Sequence, residues 1–196
     1  MYTTDAIVLS SRPSGEHDTL VFFFTRDFGK VVAHVRASRK HTTKQGNFLH
    51  SFGLLRISFI LGKGGPILSG ATDVSSAQAV ATHLFAQAYL HSFFLLCDKL
   101  MYEYASEERI WTLLQTALND AERIAQGEAS ELAKRSRLWE REKVWIVELL
   151  SVLGVGGVQL EGIRSRAQMD SYLSSILRSR FDTPTAFFGA TVGVSR

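Results

Sequence analysis

DTLVFFFTRDFGKVVAHVRA, Asp18–Ala37, is the stretch that decides the fold. Two runs rich in β-branched and aromatic residues flank a short polar connection. That connection holds Asp27 and Gly29, residue types suited to a tight hairpin turn. In the second run Val31, Ala33 and Val35 fall on one side. Lys30, Val32, His34 and Arg36 fall on the other, the period of a strand with one buried face. The first run is more apolar. Phe22, Phe23 and Phe24 cannot share one face, so one face is left to meet either the helical part of the chain or nucleic acid.

Working outward, TTDAIVLS (Thr3–Ser10) reads as a preceding strand, joined through the turn RPSGEHD with its breakers Pro13 and Gly15. After Ala37 comes a long polar connection, SRKHTTKQGN. GLLRISFIL (Gly53–Leu61) then places Leu55, Ile57, Phe59 and Leu61 on one face and Arg56 and Ser58 on the other. GKGG is a second hairpin turn, and PILSGATDV (Pro66–Val74) a fifth strand. Five short, closely spaced strands with one long connection after the third predict a small closed barrel. The OB-fold, which binds nucleic acid on one barrel face and in adjacent loops, is the candidate.

Past Val74 the period changes. SSAQAVATHLFAQAYLHSFFLLCDKLMYEYA has Ser75 or Ser76 as N-cap and no Gly or Pro through Ala105, so it reads as a buried helix. SEERIWTLLQTALNDAERIAQG is amphipathic, capped by Ser106 and ended by Gly127. SELAKRSRLWEREKVWIVELLSVLG starts at Ser130, turns Leu132, Trp139, Ile146, Leu149, Leu150 and Leu153 inward, and stops at Gly154. AQMDSYLSSILRSRF is a last helix with Met169, Tyr172, Leu173 and Ile176 on one side. The expected class is α+β: a five-stranded OB-fold barrel over residues 1–76, an all-α bundle over 77–182, and a partly ordered tail over 183–196.

Charge is distributed unevenly. The net charge of the 196 residues is only +3, yet residues 1–74 carry nine Lys/Arg against five Asp/Glu, and the remainder thirteen against fourteen. Between Asp27 and Asp73 there is no acid, while seven cations fall inside. A carboxylate near a strand of cations repels phosphate and neutralises its neighbours, so an acid-free basic segment is what a phosphate track requires. The expected DNA-binding residues are Lys30, His34, Arg36, Arg39, Lys40, Lys44, Arg56 and Lys63. Phe48 and Phe52 flank the loop and could stack bases or close the barrel rim. In the helical part, Arg135, Trp139 and Lys143 form a row at helical spacing. It could receive a short acidic, apolar peptide tail, the alternative being a solvated face partly neutralised by Glu140 and Glu142.

Enzyme signatures are missing from the sequence. LGKGGP has the wrong spacing for a phosphate-binding loop, GVGGVQLEG fails the dinucleotide spacing, and there is no H-E-x-x-H. His83 and His91 stand eight apart on one helix and read as ordinary core-edge histidines. No catalytic or metal-binding residue is expected, and no cofactor. The lone Cys97 cannot support a disulfide framework, and the N-terminus lacks a signal-peptide pattern. These features predict a cytoplasmic protein that is neither an enzyme nor membrane-bound.

The "AIVL" strand (Ala6–Leu9), the "P-x-G-E-x-D-x-L-V" turn (Pro13–Val21), "FT-x-x-x-G" (Phe24–Gly29) and the "R-A-x-R" strand end (Arg36–Arg39) resemble the N-terminal barrel of the RecO recombination mediators. HSFGLLRISFILGKGG, AYLHSFFLLCDKL, ERIWTLLQTAL, LWEREKVWIVELLSVLG and YLSSILRSRFDTP resemble the family's later elements. The resemblance implies DNA repair by recombination. It implies binding of single- and double-stranded DNA, annealing of complementary strands, and loading of recombinase. Its implied partners are RecR and the acidic C-terminal tail of single-strand DNA-binding protein. The family's basic third-strand end falls on Arg36, Arg39 and Lys40. Many members hold zinc through four cysteines where this chain reads GVGGVQLEGIRSRAQ, so zinc is not expected and the chain reads as a trimmed member. The rival expectations are an OB-fold that binds RNA and a protein scaffold without DNA activity.

Overall fold

A computed structural model of the chain describes residues 1–36, 52–155 and 160–181. The alternation that opens the sequence becomes two antiparallel strands, β2 (Asp18–Thr25) and β3 (Gly29–Val35), with Phe23 facing Val31 and Val21 facing Ala33 across the pair. With β1 (Tyr2–Ser14), β4 (Gly53–Gly62) and β5 (Gly65–Ser76) they close a barrel of order β1-β2-β3-β5-β4. Only the β3–β5 seam is parallel. This is the expected OB-fold. Closure depends on β1, which is long enough to serve two neighbours. Tyr2–Ala6 pair with β4 and Ala6–Ser14 pair with β2.

The register slips between Val8 and Ser10. A bulge adds one residue, bends the strand and reverses which side the following side chains face. Ile7 and Leu9 face outward before it, and Ser10 and Arg12 face the same way after it. Four consecutive contacts with the helices are thereby made from one strand.

The described residues form five helices, α1 (Gln78–Thr82), α2 (Leu84–Leu100), α3 (Glu108–Gln126), α4 (Glu131–Val152) and α5 (Arg166–Phe181). Two apolar cores result. The barrel interior holds Ala6, Val21, Phe23, Val31, Ala33, Val35, Leu55, Ile57, Phe59 and Leu68. The second core lies among the helices and takes in Ile7, Leu9, Phe22 and Phe24 from the barrel's outer wall. Phe24 stacks on Trp111 of α3 at 6.5 Å. The triple phenylalanine is thus resolved: Phe23 points in, and Phe22 and Phe24 point into the helices.

Several boundaries differ from expectation. The long helix foreseen from Ser75 breaks at His83, whose extended backbone separates α1 from α2. The His83 Nδ1 accepts the Ala86 N–H at 3.2 Å, so the ring caps α2. That helix ends at Leu100, and Tyr104 continues with φ of 59°. Glu107 rather than Ser106 caps α3. Leu132 was expected inward but is 77% exposed; Leu138 and Trp145 fill the core instead. Leu61 is also exposed, since β4 runs beyond the barrel rim into its hairpin. The tail over 183–196 lies outside the described residues. No helix among them is long and apolar enough to cross a membrane.

Candidate nucleic-acid interface

The outward row of β3 starts at Lys30 and ends at Arg36, and its two ends have different surroundings. Lys30 is buried. Its Nζ lies 2.8 Å from Asp98 Oδ1 of α2 and donates to the carbonyl oxygens of Asp98 and Met101. Asp98 also accepts from Ser10 Oγ at 2.8 Å and from Arg12 at 3.3 Å. Lys30 therefore joins barrel to bundle and cannot reach a nucleic acid, which corrects its place among the expected DNA-binding residues. His34 is half-buried beside Ile67 of β5. Arg36 is exposed where β3 ends.

The exterior of β1 from Ile7 on, of β2 and of the start of β3 is thus covered by helices. The β5–β4 exterior carries exposed Ser69, Thr72 and Arg56. Arg56 pairs across the sheet with Thr72, and Lys63 is exposed in the β4–β5 hairpin. Only β5 stands between the strand of Arg36 and that of Arg56, so the two strands are about 10 Å apart. The acid-free run in sequence is not acid-free in space. Asp5 of β1 sits opposite Arg56 and its Oδ1 accepts from Arg56 Nε at 2.9 Å. That pair is exposed and of small energetic weight, yet it removes part of the positive field Arg56 was expected to supply. Arg39, Lys40, Lys44 and Phe48 lie outside the described residues. Phe52 packs against the helical core, so of its two readings the core side chain is the one observed.

Sequence reasoning missed two cations on the barrel. Arg12 lies with its guanidinium carbon 4.7 Å from the Phe22 ring centre, its side chain more than half exposed. Arg26 is exposed in the β2–β3 turn beside the Asp5–Arg56 pair. The acid inside FFLLCDKL was the available signal for the buried Asp98, because an unpaired carboxylate does not survive in an apolar helix face.

In the bundle, Arg135 and Trp139 line one cavity of about 350 Å³ with Tyr89 and Leu132. Arg164 and Arg166 complete its wall, so three arginines and no acid line it. Trp139 is half-buried, 6.4 Å from Tyr89. Lys143 does not belong to this cavity. It bonds Glu140 at 2.8 Å, lies 5.6 Å from the Trp139 ring centre and lines a different cavity. Glu142, expected on a solvated face, is fully buried against Arg166. The arginines of the acid-poor stretch GIRSRAQ were the signal left unread. Among the described residues no cluster of three His, Cys, Asp or Glu could hold a metal ion.

Residues 1–78 match the family described as "Recombination protein O N terminal". The chain is 30% identical over 135 residues to the DNA repair protein RecO of Myxococcus xanthus, covering 67% of this chain and 54% of that protein. It is 30% identical over 131 residues to the DNA repair protein RecO of Geobacter sulfurreducens, covering 67% and 53%. With the protein of the same name from Desulfatibacillum aliphaticivorans it shares 28% over 165 residues, covering 80% and 57%. The chain spans about half the length of the curated relatives it matches.

Proposed function

We propose that the chain, a RecO-family protein by its match over residues 1–78 and its relatives at about 30% identity, acts in DNA repair by recombination, in the cytoplasm, as a DNA-binding mediator that makes and breaks no bond. The observation that carries this is the exposed exterior of the β3 end, β5 and β4. It presents Arg36, Arg56 and Lys63, and Arg39, Lys40 and Lys44 follow Arg36 in the sequence. Cations on strands and turns hold sugar-phosphate without reading bases, so binding is salt-dependent and sequence-blind. Two strands held with their charge neutralised repel each other less, which supports annealing and recombinase loading. The three-arginine cavity beside Trp139 suits the acidic tail of single-strand DNA-binding protein, since its cations meet carboxylates and its rings meet an apolar end. RecR is the expected further partner. No zinc takes part, the GVGGVQLEGIRSRAQ stretch offering no cysteine.

The test is a titration of single- and double-stranded oligonucleotides at several salt concentrations, with structured RNA as competitor. Replacing Arg36 and Lys63 with Ala should lower the slope of log K against log salt by roughly one per lost phosphate contact. Arg56→Ala should have the smaller effect, because Asp5 already neutralises it. Equal slopes in all variants, or preference for structured RNA, would sink the proposal.

A further inference from the structure

Beneath the Trp139 cavity lies a cluster whose charges do not balance. Glu142 of α4 is fully buried, and its Oε1 accepts from Arg166 Nη1 of α5 at 2.7 Å. Its Oε2 is buried with no hydrogen-bond partner. One turn along α5, Asp170 also has a buried oxygen, Oδ1, with no partner. The charged groups facing Glu142 are Arg166 and Asp170, both from α5. α2 contributes Ser92, whose hydroxyl accepts from Arg166 at 2.8 Å and donates to the Glu142 carboxylate. Two carboxylates thus share a single guanidinium. That guanidinium lies over the Tyr89 ring at 4.7 Å and 5.6 Å from the Trp139 ring, and it forms part of the cavity wall.

A buried carboxylate with one unpaired oxygen is costly when ionised, and protonation removes that cost. Burial pushes the Glu142 carboxyl up to about 7, against the pull of Arg166 and the Ser92 hydroxyl, and Asp170 is raised for the same reason. Arg166 itself stays charged at any working pH.

We propose that Glu142 is a proton-dependent positioning residue for the cavity: ionised, it holds the charge of Arg166 inward and neutralises it; protonated, it leaves that charge for a carboxylate ligand. This rests on the proposal that the cavity takes an acidic peptide tail. Binding of such a peptide should then tighten as pH falls through neutrality. Peptide carboxylates titrate far lower. His91 of α2 is held below its ordinary value of 6.5 by burial, so it stays neutral over most of the range.

The experiment measures binding by fluorescence anisotropy at low salt, one pH unit below and one above about 7. The probe is a labelled, N-acetylated peptide of several Asp residues ending in Phe with a free carboxylate. The full chain should bind several-fold more tightly at the lower pH. Glu142→Gln should bind at both pH values as the parent does at the lower one. Adding Arg166→Gln should remove that gain while keeping an uncharged hydrogen-bonded pair. Equal affinity of the parent at both pH values, or an unchanged pH response in Glu142→Gln, overturns this inference and leaves the docking proposal standing. Absence of binding by either protein at either pH overturns the docking proposal and the inference together.

Discussion

At the scale of single residues, the charges that matter most are the buried ones. Asp98 receives three donors from β1 and β3, and Asp120 of α3 receives Arg123, Arg141 and the Trp145 indole. Each of these two carboxylates faces two cations, Arg12 and Lys30 at Asp98 and Arg123 and Arg141 at Asp120. Glu142 faces one, Arg166, and its pKa of about 7 against an ordinary 4.5 makes it a stability sensor. Below 4.5 it is neutral both folded and unfolded. As pH rises toward 7 the unfolded chain releases the proton while the folded chain holds it. Stability is therefore lost across that window and is level above it. Glu142→Gln should gain stability relative to the parent between about pH 5 and pH 8, by at most about 3 kcal/mol. Denaturant titrations at the two ends measure it, and a constant difference would contradict the placement of this carboxyl.

At the scale of elements, β3 shows one strand serving two tasks. Its inward row, Val31, Ala33 and Val35, is set by the pleat and belongs to the barrel core. Its outward row splits. Lys30 is bonded to the end of α2, and Arg36 is exposed. Backbone contacts reinforce the buried end: Tyr104 N–H donates to the Lys30 carbonyl at 2.9 Å. Gly29 turns with φ of 65°, and a Cβ there would meet the Ala105 carbonyl oxygen at 2.2 Å, so only glycine fits the turn. Lys30→Ala should cost about 3 kcal/mol, because it strips a buried carboxylate of its nearest cation. It should leave the salt slope of DNA binding unchanged. Thermal unfolding and oligonucleotide titration of the same variant separate the two effects; a stable Lys30→Ala protein with weakened DNA binding would reverse the assignment made above.

At the scale of the molecule, barrel and bundle share a core. Phe22, Phe24, Ile7 and Leu9 are buried by helices and not by other strands. Each large apolar side chain so buried contributes roughly 2 kcal/mol, and the Asp98 network lies at the same boundary. The two parts should therefore unfold in one transition. Phe24→Ala, which opens a cavity beside Trp111, should destabilise by about 3 kcal/mol and lower the melting of both far-ultraviolet circular dichroism and tryptophan fluorescence together. Separate transitions in the parent protein would show that the shared core does not couple them. The shared wall also limits the proposed DNA surface: β1 from Ile7 on, β2 and the start of β3 are covered by helices, leaving the β5–β4 side and the first residues of β1.

The five strands, their turns, the barrel class and the helical remainder were legible in the order of residues alone. Pleat and helix periods are local, and each side chain's face follows from its neighbours in the chain. The surroundings of the charges were not legible. Asp5 reaches Arg56 only because the barrel closes β1 on β4, and Asp98 reaches Lys30 only because α2 packs on β1. Glu142 meets Arg166 only because the start of α5 reaches α4. Electrostatic partners are set by distance in space, which strand alternation cannot report across dozens of intervening residues. For that reason the sequence located a basic barrel, and the tertiary structure decided which of its cations face outward.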